Sequence, residues 1–198
     1  MLYCFFLDMA TVNKDEYHVN KHRILSQIKE GAVFIHPTDT IYGIGCDATN
    51  EEAVEKVREA KQRKDLPFNI IAPSREWVRE NCEVDEEAEE WLAKLPGPYT
   101  IILKLKKDSA VAKNVNPTGD GTIGIRRPDH WISEITNDLN KPIVTTSANI
   151  TGKNFMTSMD NLDEEVKKKM HLIIYEGEKK GRPSTIVDLA RKRGLIKR

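Results

Sequence analysis

Metal chemistry, covalent catalysis and membrane insertion each leave marks that this 198-residue sequence lacks. Cysteine is scarce: Cys4, Cys46 and Cys82 are odd in number and widely spaced. That is neither a disulfide framework nor a zinc pattern, and it suits a reducing cytoplasm. No two histidines have metal-ligand spacing, so no direct protein ligation of a metal is expected. His36 stands alone by a strand end, where a histidine is more often structural than catalytic. A Gly-x-Ser-x-Gly elbow is absent, and none of the cysteines has local support as a nucleophile. Without a Walker A sequence, any nucleotide must be held in some other way. Excess charge is missing too. Lysine plus arginine balances aspartate plus glutamate at 31 each, so any anion site must be local. No apolar run is long enough to span a bilayer. The opening MLYCFFLDMA is short, interrupted by Asp8 and without a basic start, and reads as an edge strand rather than a membrane or signal segment. With 31% charged and 7% aromatic residues, the composition is that of a globular protein.

Against these absences stands the stretch Val33 to Cys46, VFIHPTDTIYGIGC. Val33, Phe34 and Ile35 form a short apolar run of buried-strand type. Pro37 removes a backbone donor and ends regular pairing. Thr38, Asp39, Thr40 and Tyr42 follow at once. Two readings fit them: a turn whose side chains satisfy their own backbone, or polar groups presented to a ligand at the end of a buried strand. Gly43 and Gly45 allow close approach by a ligand or a neighbouring chain.

Strands and helices interleave along the length, with no linker and no low-complexity tract. A helix is predicted over Lys14 to Glu30. A capping box at Thr49-Asn50-Glu51-Glu52 opens a second. Ser74 and Asp85 start two more, Asp129 caps a helix bearing Ile132, Ile135 and Leu139, and a charged helix runs from Asp160 to Met170. Strands are read at Pro67–Ala72, Tyr99–Lys106, Thr122–Arg126, Pro142–Thr146, Leu172–Ile174, Thr185–Val187 and Leu195–Ile196. The class is α/β, and loops joining several strands imply a mixed sheet.

Among the motifs, Gly119 to Gly124 matches G-x-G-x-x-G but follows a loop and opens a strand, so it is no dinucleotide fingerprint. Alternation puts Thr122, Gly124 and Arg126 on one strand face and Arg127 on the other. A guanidinium beside a glycine has room for a planar carboxylate or phosphate; a surface salt bridge is the other reading, and the default for Arg127. Lys61-Gln62-Arg63-Lys64 sits at a helix C-terminus, where cations complement the dipole or bind an anion. After Pro142 to Val144, the hydroxyls and amide of Thr145, Ser147 and Asn149 share a face if the strand persists, and suit a polar ligand; a turn or cap is the alternative.

Taken together these pieces resemble the YrdC-like family, whose enzymes make L-threonylcarbamoyladenylate. The resemblance runs from about Gly31 to the C-terminus. It rests on Pro37-Thr38-Asp39-Thr40-Ile41-Tyr42-Gly43, Lys61-x-Arg63, Pro96-Gly97-Pro98-Tyr99-Thr100, Gly124 to Pro128, Thr146-Ser147-Ala148-Asn149 and Pro183 to Asp188, in that order. It implies a single domain over residues 1–198 without an additional C-terminal domain. It also implies a twisted mixed sheet with flanking helices and a concave, positively charged face. The implied reaction joins threonine, bicarbonate and ATP, with Mg²⁺, into threonylcarbamoyl-AMP and pyrophosphate. The product would pass to a tRNA-modifying threonylcarbamoyl transferase complex, and RNA, double-stranded RNA included, is a further implied partner.

By the same resemblance Thr38, Arg126, Thr145 and Ser184 would bind threonine. Lys61 and Arg63 would act at the nucleotide phosphates as the catalytic cations. Thr122, Ser147, Asn149 and Arg198 would contact nucleotide. Three departures touch the ATP side. No proline follows Arg63, and the connection to Pro67 is one residue short. Asn69-Ile70-Ile71-Ala72 lacks a histidine common in the enzymes. The usual Arg-Pro-Ser continuation is missing after Asn149. They keep a second reading open: a YciO-like relative that binds nucleotide or RNA with little synthase activity.

Overall fold

The computed structural model describes residues 10–191 and 194–196. Expectations for the opening nine residues and for Lys197 and Arg198 therefore lie outside the described residues. The strands are β1 (Ala10–Val12), β2 (Phe34–His36), β3 (Gly43–Gly45), β4 (Asn69–Ile71), β5 (Tyr99–Lys104), β6 (Thr122–Arg126), β7 (Ile143–Ser147), β8 (Leu172–Ile174), β9 (Thr185–Asp188) and β10 (Gly194–Ile196). They form one sheet in the order β1-β8-β2-β3-β7-β4-β6-β5-β9-β10. Pairing is mixed: β2–β3, β3–β7, β4–β7 and β5–β6 are antiparallel, whereas β2–β8, β4–β6 and β5–β9 are parallel.

Most helices follow the sequence signals. Those along the first half are α1 (Lys14–Val19), α2 (Lys21–Lys29) and α3 (Glu51–Lys61). After them come α4 (Arg75–Asn81), α5 (Glu86–Leu92), α6 (Ser133–Leu139) and α7 (Glu164–Lys167). Ser74 and Asp85 cap α4 and α5 by accepting from Trp77 N and Ala88 N. Four expectations need correction. The single helix over Lys14 to Glu30 breaks at Asn20, whose side-chain amide turns back to donate to Glu16 O and competes with the next helical turn. The cap of α3 is Asn50, which accepts from Ala53 N; Thr49 is occupied with Asp47. Asp129 does not cap α6, because its N–H donates to Asp39 and Ile132 takes the cap position. The charged run Asp160 to Met170 yields only a 3₁₀ turn and the single-turn α7. Asn161 and Asp163 bond to nearby backbone N–H groups, and Leu162 between them is extended.

The two faces of the sheet differ along its width. One carries Ile35, Ile44, Ile70, Ile101 and Ile125 into the main core under α3, α4 and α5. On the other, Phe34, Ile71, Ile143 and Leu172 pack beneath α2 and α6. Alternation then places Asn69 on the same face as Ile71, and Thr145 and Ser147 on the same face as Ile143. That face is thus apolar where helices cover it and polar where they stop, and the change of character positions the site.

Candidate active site

A cavity of about 340 Å³ opens on the uncovered part of this face. Its floor follows the strand register: Gly43 pairs with Ser147, Asn69 with Thr145, Asn69 with Gly124, and Gly124 with Ile102. The volume falls at the lower end of the range usual for small-molecule sites, roughly 300–1,000 Å³. The segment 176–184 packs against the β2–β3 connection and brings Pro183 and Ser184 into the lining. Tyr42 Oη anchors it by donating to Gly177 O at 2.6 Å. Gly181 lies so close to β2–β3 that a Cβ there would meet Thr40 O at 1.9 Å, so only glycine fits.

At one end stands Arg126, 6% exposed in its side chain, with Nη2 donating to Asp39 Oδ1 at 2.6 Å. Asp39 is fixed in turn by the N–H of Asp129 at 3.1 Å. Burial lowers the Arg126 pKa and the Asp39 carboxylate raises it. Its Nε is buried with no hydrogen-bond partner. Thr38 also lines the cavity, yet its hydroxyl serves its own turn, donating to Ile41 O at 2.7 Å and accepting from Thr40 N and Ile41 N. The self-satisfying turn and the ligand-facing loop are therefore the same residues. Thr145 and Ser184 are in the lining as well, Ser184 sharing a 2.7 Å hydrogen bond with Thr100.

At the other end Ser147 and Arg63 line the wall. Arg63 donates to Pro67 O at 2.8 Å and its guanidinium lies 5.4 Å from the Phe68 ring centroid. Lys61 is not the exposed helix-end cation that its place in the chain suggests. It is 1% exposed and its Nζ donates to Ser147 O at 2.5 Å, Asn149 O at 2.8 Å and Asn149 Oδ1 at 3.2 Å. Burial, with Arg63 adding repulsion, brings its pKa down to about 7. Asn149 is buried behind the lining. Its Oδ1 accepts from Ser147 Oγ at 2.6 Å, and its amide donates to Ile150 O and Lys153 O. Lys61 and Asn149 thus brace the loop that presents Ser147.

The shortened connection after Arg63 is organised from within by Arg58. Its Nη1 donates to the carbonyls of Arg63, Lys64 and Leu66 at 3.0–3.1 Å, and its Nε and Nη2 donate to Asn114 O. The Phe68 ring packs against its guanidinium, 4.4 Å from the centroid.

Thr122 shares the strand face of Gly124 but sits at the far end of β6, outside this lining and in that of a neighbouring cavity. Its hydroxyl donates to Asp120 Oδ1 at 2.8 Å and accepts from Arg191 at 3.0 Å. Arg127 does lie off the site, but it braces backbone rather than forming a surface ion pair, donating to Ala72 O and Pro73 O. His36 is structural: fully buried, bonded through Nδ1 to Pro37 O, and kept neutral by burial, which takes its pKa down to about 4. Of the described thiols, burial raises both Cys46 and Cys82, the latter to about 12, which disfavours the thiolate that a nucleophile needs. Arg198 lies outside the described residues. Asn69 and Phe155 line the cavity without having been singled out; for Asn69 the signal was one polar residue opening an apolar run. Among the described residues no group of three or more His, Cys, Asp and Glu could hold a metal ion.

The fold and this two-ended cavity define a small-molecule-binding α/β protein. Its sequence from 26 to 198 matches the family described as Telomere recombination, the Sua5/YciO/YrdC domain. A Methanocaldococcus jannaschii protein provisionally named threonylcarbamoyl-AMP synthase is 38% identical over 90% of this chain and 84% of its own length. The threonylcarbamoyl-AMP synthase of Vibrio campbellii is 32% identical over 85% of this chain and 94% of its own. Among solved structures, Pyrococcus abyssi Sua5 complexed with L-threonine superposes with a TM-score of 0.83 at 32% identity, over 96% of this chain. This chain spans only 57% of that protein. Escherichia coli YciO shares the fold at a TM-score of 0.81 and 22% identity, over 96% of this chain and 97% of YciO. The chain belongs to the Sua5/YciO/YrdC family.

Proposed function

We propose that this protein is a threonylcarbamoyl-AMP synthase, a nucleotidyltransferase acting on threonine, bicarbonate and ATP. The observation that carries the reading is the two-ended cavity, in a chain of this family. Arg126 waits at one end, and Arg63, with Ser147 braced by Lys61 and Asn149, at the other. Threonine's amine and bicarbonate condense, with loss of water, to a carbamate. A carbamate oxygen then attacks the α-phosphorus of ATP, and the bond to the bridging oxygen breaks to release pyrophosphate. Two anions must meet, so fixed cations and preorganised donors are the main requirement and no protein nucleophile is needed. Mg²⁺ would supply charge neutralisation at the ATP phosphates in this chemistry.

The reading is tested by pyrophosphate release with ATP and Mg²⁺. Release requires threonine and bicarbonate together; equal release without an amino acid excludes the reaction. A YciO-like binding function is favoured by one observation, the withdrawal of Lys61 behind the cavity wall. Nucleotide binding without any amino-acid-dependent release would decide for it.

A further inference from the structure

Threonine brings a carboxylate, an amine that becomes the carbamate, and a side-chain hydroxyl. On the synthase reading, Arg126 suits the carboxylate and the carbamate must face the nucleotide end. The hydroxyl is left without a reader. Thr38 has spent its Oγ1 on Thr40 N, Ile41 N and Ile41 O. Ser184 is engaged with Thr100. The Thr145 hydroxyl leans towards β3, where it would lie 3.1 Å from a Cβ on Gly43.

We propose that Asn69 reads the side-chain hydroxyl of the amino acid and so selects threonine over its isostere valine. Asn69 stands mid-floor on β4, paired with Thr145 on one side and Gly124 on the other, and two residues along β6 from Gly124 is Arg126. It is half-buried, and no described residue gives its side-chain amide a hydrogen bond. Room for it is made by its neighbour: a Cβ on Gly124 would lie 2.1 Å from Asn69 Oδ1 and 3.1 Å from Thr100 Cγ2. The amide therefore lies over Gly124 of β6, towards Thr100 of β5, in the cavity that Arg126, Thr145 and Ser184 also line. An amide and a hydroxyl are each both donor and acceptor, so the pair can exchange two-way hydrogen bonds. A purely apolar niche discriminates such isosteres only about 100-fold, whereas a site built to bond the hydroxyl can reach about 10⁴-fold or more. The inference rests on the synthase reading for the identity of the amino acid.

The test measures kcat/KM for threonine and for valine by pyrophosphate release, and the binding of both by calorimetry, in the unaltered protein, Asn69→Leu and Asn69→Ala. Both variants should lower the threonine-to-valine ratio at least 10-fold while ATP binding and melting stay near those of the parent. Gly124→Ala, which displaces the amide without removing it, should lower the ratio too. An unchanged ratio in the Asn69 variants overturns the proposal. So does a ratio lost in Thr145→Val but kept in Asn69→Leu. If the parent binds threonine but releases no pyrophosphate, the synthase reading falls, and the calorimetric ratio alone still decides the role of Asn69. If it binds neither amino acid, both fall.

Discussion

The two ends of the cavity hold their buried cations in opposite ways. Lys61 is surrounded by neutral acceptors, the carbonyls of Ser147 and Asn149 and the amide oxygen of Asn149. Arg126 is paired with a carboxylate, Asp39. Uncharged acceptors satisfy hydrogen bonds but compensate no charge, so with its pKa down at about 7 Lys61 is charged only in part near neutral pH, and a polyanion arriving beyond the wall would favour its charged form. A carboxylate neutralises the guanidinium and fixes its plane. A ligand carboxylate at that end must share Arg126 or compete with Asp39, which favours geometry over charge. On the proposed function, the nucleotide end would be arranged for charge and the amino-acid end for shape.

The sharpest way to break this contrast is Lys61→Ala. The variant removes three hydrogen bonds and leaves Asn149 O without a donor, whereas Ser147 O keeps Asn149 N and Asn149 Oδ1 keeps Ser147 Oγ; an orphaned buried acceptor costs about 1–3 kcal/mol. We expect a loss of about 3 kcal/mol, a fall in Tm of roughly 6–12 °C. Pyrophosphate release should drop about 100-fold or more. Melting at the parental temperature would show that Lys61 braces nothing and acts on the phosphates alone. Next in size, Arg126→Lys keeps the charge and loses the planar fork. The threonine requirement should rise about 10- to 100-fold, the worth of roughly 1.4–2.8 kcal/mol. The ATP requirement should hardly move. Equal effects on both substrates would mean that the ends are not separate.

A smaller effect concerns His36, beneath the amino-acid end. Its pKa is about 4 when folded, through burial, against the usual 6.5. Above about pH 6.5 neither state holds the proton and stability is at its full value. As pH falls from 6.5 to 4 the unfolded chain gains a proton that the folded chain refuses, and stability declines. The expected slope is about 1.4 kcal/mol per pH unit at most. His130 and His171 are lowered by burial as well and add to the same trend. His36→Phe should flatten the Tm-against-pH profile in that window; an identical profile would show that His36 titrates as in the unfolded chain. The smallest effect is expected from Thr122→Val. Loss of its bonds to Asp120 and Arg191 should cost about 1 kcal/mol and leave ATP binding unchanged. Weakened ATP binding, measured by calorimetry, would give Thr122 the nucleotide role that the family resemblance implies.

The floor of the cavity was legible because strand alternation is a short-range property. The face shared by Gly124 and Arg126, and that shared by Thr145 and Ser147, follow from a period of two residues. The fate of Lys61 was not, because it is decided by carbonyls 86 and 88 positions away. In sequence, a lysine on the last turn of a helix looks solvated. The place of Thr122 outside the lining was hidden for a related reason: alternation gives its face but not how far along the strand the cavity extends. The break at Asn20 and the loss of helix around Leu162 reflect local side-chain competition for backbone groups. Amphipathic spacing does not register such competition, although the residue types responsible were in plain sight.

Arg58 carries a last consequence. Its guanidinium gathers the carbonyls of Arg63, Lys64 and Leu66 around a single cation, much as a bound ion would template a flexible chain. Proline at this connection would stiffen it by narrowing what the unfolded chain can do. Arg58 stiffens it in the folded state instead, so the ordering is completed during folding. If Arg63 meets ATP as proposed, it does so already oriented, and little conformational entropy would be left to lose on binding. The shortened connection is a preorganised one, and its rigidity is stored in a residue that never meets the ligand.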